Sequence, residues 1–163
     1  LMELLDYTKL QSETYPIDLK ELSLTCIADD ILKDCDTLIK GKGLTIEKRY
    51  TCSDLVMGDE KLITTAVSNL ILNAIEYSPE NTKIAICVEQ EGKTVMFAVS
   101  NSLKEDGCAD LSQVWSPFYT TKSNNSNGMG LAVCKRIFEL HDSNYSCFEK
   151  DGLITFKFTL RRN

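Results

Sequence analysis

The chain has 163 residues, which suits one domain with a full core. Acids outnumber bases 24 to 18, a formal charge of -6, and this argues against general nucleic-acid binding, which relies on Lys and Arg to neutralise phosphates. No apolar run approaches the length of a membrane span and no signal peptide is visible; the chain begins at Leu1 rather than Met, as a piece of a longer protein would. The seven cysteines (Cys26, Cys35, Cys52, Cys87, Cys108, Cys134 and Cys147) form no C-x-x-C pair and are odd in number. Zinc and disulfide frameworks are therefore not expected, and several cysteines fall at apolar positions, where they read as small core hydrophobes in a reducing compartment.

Taken in order, Leu1, Leu4 and Leu5 open a short amphipathic helix that runs to about Ser12. Tyr15 to Leu19 reads as extended, and Glu21 to about Lys40 as one helix with Leu22, Ile27, Ile31, Leu32, Cys35 and Leu38 to Ile39 on its apolar side, ended by Gly41-Lys42-Gly43. Leu44 to Tyr50 alternates with period two and reads as a strand, and Asp54 to Met57 as a second, brief one. Asp59 is a good N-cap for the next helix, whose Leu62, Ile63, Ala66, Val67, Leu70, Ile71 and Ala74 recur at three- and four-residue steps. Asn69, Asn73, Glu76 and Tyr77 fall on a neighbouring stripe of that helix, which ends at Pro79. An amide beside a core-facing stripe wants a partner, and capping of a nearby loop would satisfy it as well as a ligand would.

Lys83 to Glu89 and Val95 to Ser100 make two strands around a turn at residues 90–93. Residues 101–110 read as a polar loop and Leu111 to Trp115 as a helical turn. Residues 120–128 carry Thr, Ser, Asn, Lys and Gly and no apolar side chain, so they read as a linker or as a lid that lacks anchors of its own. A helix from about Met129 to His141 follows, then a hairpin of Tyr145 to Lys150 and Leu153 to Leu160 around Asp151-Gly152. Asn127-Gly128-Met129-Gly130-Leu131 leads straight into that helix, and glycines there let backbone N–H groups approach an anion at a positive helix end. The spacing is not that of the P-loop. The alternating and periodic runs together predict an α+β, two-layer sandwich: a mixed, mostly antiparallel sheet packed on one face by three helices.

As an ordered set these motifs resemble a family. Gly58-Asp59-Glu60 to Pro79 resembles the N box of sensor histidine kinases, Ser116 to Lys122 their F box, and Gly128 to Leu131 their second glycine box. The resemblance covers nearly the whole chain and implies the Bergerat-type ATP-binding fold, shared more distantly with gyrase, Hsp90 and MutL ATPases. It implies that residues 1–12 are the tail of a dimerisation-hairpin helix and residues 13–163 the ATP-binding catalytic domain; a frayed terminal helix is the plainer reading of the former. It implies ATP and Mg²⁺ as cofactors, which the acidic balance does not exclude, because Mg²⁺ and backbone amides can meet the phosphates. The implied partners are a histidine-bearing dimerisation domain and a response regulator, in a homodimeric parent whose catalytic domain is cytoplasmic whether or not it is membrane-anchored.

Residue by residue, the resemblance makes Asn73 the Mg²⁺ ligand and Asn69 its neighbour one turn earlier, and these two are the catalytic candidates. Related ATPases carry a water-activating glutamate where Asn69 stands; an amide cannot act as that base, which favours a kinase over a hydrolase. Tyr77 would pack on the nucleotide, Lys122 supply charge from the lid, and Phe118 and Tyr119 anchor the lid root. Gly128, Met129, Gly130 and Leu131 would line the phosphates. Two positions depart from the pattern. Glu76 stands where the family often has Lys or Arg, and Asn101 where it has the aspartate that accepts from the adenine amino group, although a branch sensing peptide signals also uses Asn there. The only histidine, His141, follows the last helix and is not read as the phosphorylated residue, which in the family lies upstream. A degenerate nucleotide-binding regulatory module and an anti-sigma-type serine kinase are the alternatives on the same fold.

Overall fold

The computed structural model describes residues 4–51, 55–103, 110–117, 119 and 129–163. Its elements are α1 (Leu4–Leu10), β1 (Lys20–Ser23), α2 (Leu24–Asp34), α3 (Asp36–Gly41), β2 (Thr45–Tyr50), β3 (Leu55–Gly58), α4 (Glu60–Tyr77), β4 (Lys83–Glu91), β5 (Thr94–Ser102), α5 (Gly130–Leu140), β6 (Tyr145–Lys150) and β7 (Leu153–Arg161). Five strands form one sheet in the order β2-β4-β5-β7-β6, in which β2 and β4 run parallel and every other pair antiparallel. β1 and β3 form a separate antiparallel pair. The mixed, mostly antiparallel sheet expected from the alternating runs is present.

One face of the sheet makes the core. Ile86 and Val88 of β4 lie beside Val99 and Phe97 of β5, and Val99, Phe97 and Val95 of β5 beside Phe156, Phe158 and Leu160 of β7, all buried. Period-two alternation puts them on one side. Against them lie eight buried residues of α4 (Leu62, Ile63, Ala66, Val67, Leu70, Ile71, Ala74 and Ile75), with the buried stripes of α2 and α5 alongside. At about 1.5–3 kcal/mol for each fully buried Leu or Ile, α4 is the element the core can least afford to lose. Phe138 of α5 stacks on Phe158 at 4.6 Å, and Trp115 meets Phe138, Tyr145 and Phe156 edge-on at 5.2 to 6.2 Å.

The expected single helix over residues 21–40 is not what forms. Residues 20–23 pair with β3, Leu22 turns inward, and Ser23 becomes an N-cap whose hydroxyl accepts from Cys26 N at 3.2 Å. A side chain that satisfies an orphan helical N–H fixes where the helix starts, and this one moves the start to Leu24. The helix breaks again at Cys35, between two aspartates, and restarts as α3. β5 also runs two residues further than expected, to Ser102, so Asn101 lies in the sheet and not in a loop. The segment 110–117 is a run of turns, with Gln113 N on Asp110 O and Ser116 N on Gln113 O, both 2.9 Å.

α1 rests on α5. Leu10 is buried, and Arg136 donates from Nε to Leu10 O at 2.6 Å and from Nη2 to Ser12 O at 3.1 Å. Among the described residues no helix is long and apolar enough to cross a membrane.

At the other end of α4, two loops are stitched together. Asn81 N donates to Lys42 O at 2.9 Å, and Gly43 adopts a left-handed φ of 64° against the Asn81 side chain. A Cβ at residue 43 would stand 2.2 Å from Asn81 Oδ1. Gly43→Ala combines this clash with an unfavourable φ and is expected to cost about 1–3 kcal/mol. The check is the urea midpoint at unchanged m-value; a midpoint equal to wild type would show that the loop yields freely.

Candidate functional site

α4 and α5 lie antiparallel and are tied at three levels. At one end Asp59 caps α4, its Oδ1 accepting from Leu62 N at 3.1 Å and its Oδ2 from Asp18 N at 3.0 Å. The backbone N–H of Asp59 in turn donates to Nε2 of His141, 3.0 Å away, at the C-cap of α5. Nδ1 of His141 lies 2.7 Å from Ile137 O, so it carries the proton and the ring is neutral. In the middle, Cys134 donates from Sγ to Ala66 O at 3.5 Å. Burial pushes this thiol up to about 12, with the Asn69 amide pulling weakly the other way, so it stays protonated and unreactive. At the far end Asn69 donates from Nδ2 to Gly130 O at 3.1 Å.

The two ends differ in chemistry. The His141 end is closed: both ring nitrogens of His141, and the N–H and both carboxylate oxygens of Asp59, have partners. The Asn69 end opens on the N-terminus of α5, whose N-cap residue, Met129, supplies no side-chain cap and whose first turn has no acidic residue. Unpaired N–H groups and the helix dipole make such an end attractive to anions. Asn73, half-buried and one turn beyond Asn69 on the same side of α4, makes no hydrogen bond to a described residue. Its amide oxygen lies one turn beyond the Asn69–Gly130 bond and has no partner among the described residues. Glu76 and Tyr77 follow on the same face, both half-buried.

Met129 is buried and Leu131 half-buried against the core, so both hold the start of α5 in place. A Cβ on Gly130 would lie 3.7 Å from Asn69 Cγ, which is ordinary contact, so Asn69 does not require glycine there. Asn101 sits on the helix-facing row of β5, between Ile84 and Ile154, 1% exposed. Its Nδ2 donates to Ser102 O at 3.0 Å, which leaves Oδ1 as the atom an incoming donor can use. Phe118, Lys122, Gly128 and the expected lid at 120–128 lie outside the described residues.

Some positions escaped sequence reasoning. Trp115, with its three aromatic contacts, anchors the segment that precedes residue 118. Tyr119 is partly buried against the core, and its OH also accepts from Asp110 N at 2.8 Å. A lone tryptophan amid serines was the available signal. Lys42 also reaches the end of α4, donating from Nζ to Ile75 O at 2.7 Å and to Glu76 O at 3.1 Å. Its neighbours on both sides are glycines, and nothing in the pattern announced that contact.

Residues 58–163 match the family described as histidine kinase-, DNA gyrase B-, and HSP90-like ATPase. The chain belongs to this family. Among curated relatives, it is 31% identical over 125 residues to the probable sensor protein PcoS of Escherichia coli, covering 74% of this chain and 26% of PcoS. It is 32% identical over 109 residues to the heme sensor protein HssS of Staphylococcus aureus, covering 66% of this chain and 24% of that protein. The chain thus spans about a quarter of the length of the curated relatives it matches. The catalytic domain of the histidine kinase ThkA superposes with a TM-score of 0.80 at 25% identity, over 89% of this chain and 96% of that domain. ThkA in complex with the response regulator protein TrrA superposes at 0.77, with 24% identity, over 93% of this chain and 44% of that one. A domain of this ATPase family implies ATP as a ligand.

His141 serves the fold of this ATPase-family domain, and its titration can be used to show it. Burial holds its pKa below the ordinary value of 6.5. The unfolded chain therefore binds the proton more readily, so the stability it contributes is complete above about pH 6.5 and is lost as pH falls through the depressed folded value. The urea midpoint should drop between pH 7.5 and pH 5.5 in wild type and much less in His141→Gln. Equal pH dependence in both would remove His141 from the closed end of the seam.

Proposed function

We propose that this chain is the ATP-binding catalytic domain of a sensor histidine kinase, which holds Mg-ATP for phosphoryl transfer to a histidine on a dimerisation domain outside these residues. The observation that carries the reading is the Asn69–Gly130 bond. It locks the first turn of α5, which gets no side-chain cap from Met129, against α4, and leaves the Asn73 amide one turn further along.

The residues fit the ligand. Phosphoryl transfer asks for positioning and charge compensation more than covalent help. The start of α5 offers N–H donors to phosphate oxygens. Asn73 offers a neutral amide oxygen to Mg²⁺, which accepts few protein ligands and keeps several waters. Bound Mg²⁺ would offset negative charge on the phosphates. Oδ1 of Asn101 can accept one hydrogen bond from an adenine amino group, and Tyr77 gives apolar surface on the same face as Asn73.

Two observations oppose hydrolysis or self-labelling by these residues. Asn69, where a water-activating carboxylate would be needed, spends its amide on Gly130 O. His141 lies at the opposite end of the seam with both ring nitrogens occupied. The acceptor histidine then comes from outside, and α1, docked through Leu10 and Arg136, is read as the end of the dimerisation helix that carries it. On this reading the parent is a homodimer, its partner is a response regulator, and this domain faces the cytoplasm.

The test is a fusion of a dimerisation hairpin carrying an acceptor histidine ahead of Leu1, which keeps the effective concentration high. With Mg-ATP the fusion should gain acid-labile, alkali-stable phosphate, Asn73→Ala should lower labelling at least tenfold, and the unfused chain should neither label nor release phosphate steadily. ATP binding without labelling would favour the regulatory-module reading. Steady phosphate release by the unfused chain would make it a hydrolase.

A further inference from the structure

The end of α4 carries Tyr77 and, one turn earlier, Asn73. The helix stops at Tyr77 because Pro79 follows, and its C-cap, Ser78, is extended. Ser78 donates from Oγ to Ala74 O at 2.6 Å, and its N–H goes to the same carbonyl at 3.0 Å. That leaves the carbonyls of Ile75 and Glu76 among those a helix end cannot satisfy internally. The last turn contains no basic residue to meet them.

Lys42 reaches both, with Nζ 2.7 Å from Ile75 O and 3.1 Å from Glu76 O. It comes from 33 positions upstream, so the contact depends on tertiary structure. Its backbone is fixed on each side: Lys42 N donates to Leu38 O at 3.2 Å as the cap of α3, and Lys42 O accepts from Asn81 N at 2.9 Å. Gly43, at a φ of 64°, packs on Asn81, and Thr45 N is bonded to Thr82 O at 3.0 Å. The ammonium is thus delivered from a stitched pair of loops to the negative end of α4, where a cation is favoured.

We propose that Lys42 is a positioning residue for the nucleotide: by clamping the Ile75 and Glu76 carbonyls it fixes the turn that presents Asn73 and Tyr77. The inference rests on the functional reading above. Lys42 acts through α4 and need not touch the ligand.

The test compares wild type with Lys42→Met, which keeps the stem and loses the ammonium, and with Lys42→Arg, which keeps charge and donors. Mg-ATP affinity is measured by calorimetric titration, and amide exchange along α4 without nucleotide. Lys42→Met should bind Mg-ATP roughly tenfold more weakly, a change of the size that loss of charged hydrogen bonds brings. Exchange should rise at residues 74–78 and stay unchanged at residues 66–70, and Lys42→Arg should recover both properties. Should Lys42→Met fail to fold, Lys42→Gln is read by the same two measurements. Affinity within twofold of wild type, or an exchange increase spread evenly over α4, overturns the role of Lys42. If wild type itself binds no Mg-ATP, the functional reading falls, and the exchange pattern alone then decides whether Lys42 holds the turn.

Discussion

The antiparallel seam between α4 and α5 is the contact on which the rest of the molecule depends. Eight apolar residues of α4 and five of α5 fill the space above the sheet. Three hydrogen bonds set their register: Asp59 to His141, Cys134 to Ala66, and Asn69 to Gly130. Apolar burial supplies most of the driving force, but it is non-directional and tolerates sliding by a fraction of a turn. The polar ties are individually worth only about 0.5–1.5 kcal/mol, and their contribution is to choose one register. That register places the start of α5 beside Asn69, with Asn73 a turn beyond.

The seam is also polar in its chemistry. At one end a neutral histidine joins the two helix caps and nothing is left over for a ligand. At the other the N-cap residue, Met129, gives no side-chain cap, the first turn of α5 carries no carboxylate, and an asparagine keeps its amide unpaired among the described residues. A helix start without a side-chain cap from its own N-cap residue leaves its dipole and backbone donors better placed to meet an anion. Membership of an ATPase family, and the likeness to a histidine kinase catalytic domain, agree with an anionic ligand at that end.

Much of this was legible in residue order. The three-and-four spacing of Leu62 to Ala74 specifies a buried helix face, and the alternation in residues 83–89 and 153–160 specifies strands with one covered side. The asparagine stripe could be placed on a face because helical geometry is regular. Other features depended on long-range contacts that periodicity does not encode. Leu22 suited a helix stripe as well as a strand, and pairing of residues 20–23 with β3 decided the matter. Asn101 joined the sheet because β7 extends far enough to pair with it. The polar partners of His141 and Lys42 lie 82 and 33 positions away, and no local pattern reports such distances. His141 was recognised as part of the fold only by exclusion; its actual work, linking two caps, needed coordinates.

The central claim is that the ligand enters at the Asn69 end of the seam and leaves the His141 end untouched. Side-chain amide and imidazole resonances of the isotopically labelled chain, followed during a Mg-ATP titration, test it most directly. The account predicts saturable shifts of the Asn69, Asn73 and Asn101 amides with one common affinity, and a His141 ring signal that does not move. Saturable shifts centred on His141 and Asp59, with the asparagine amides unchanged, would contradict it.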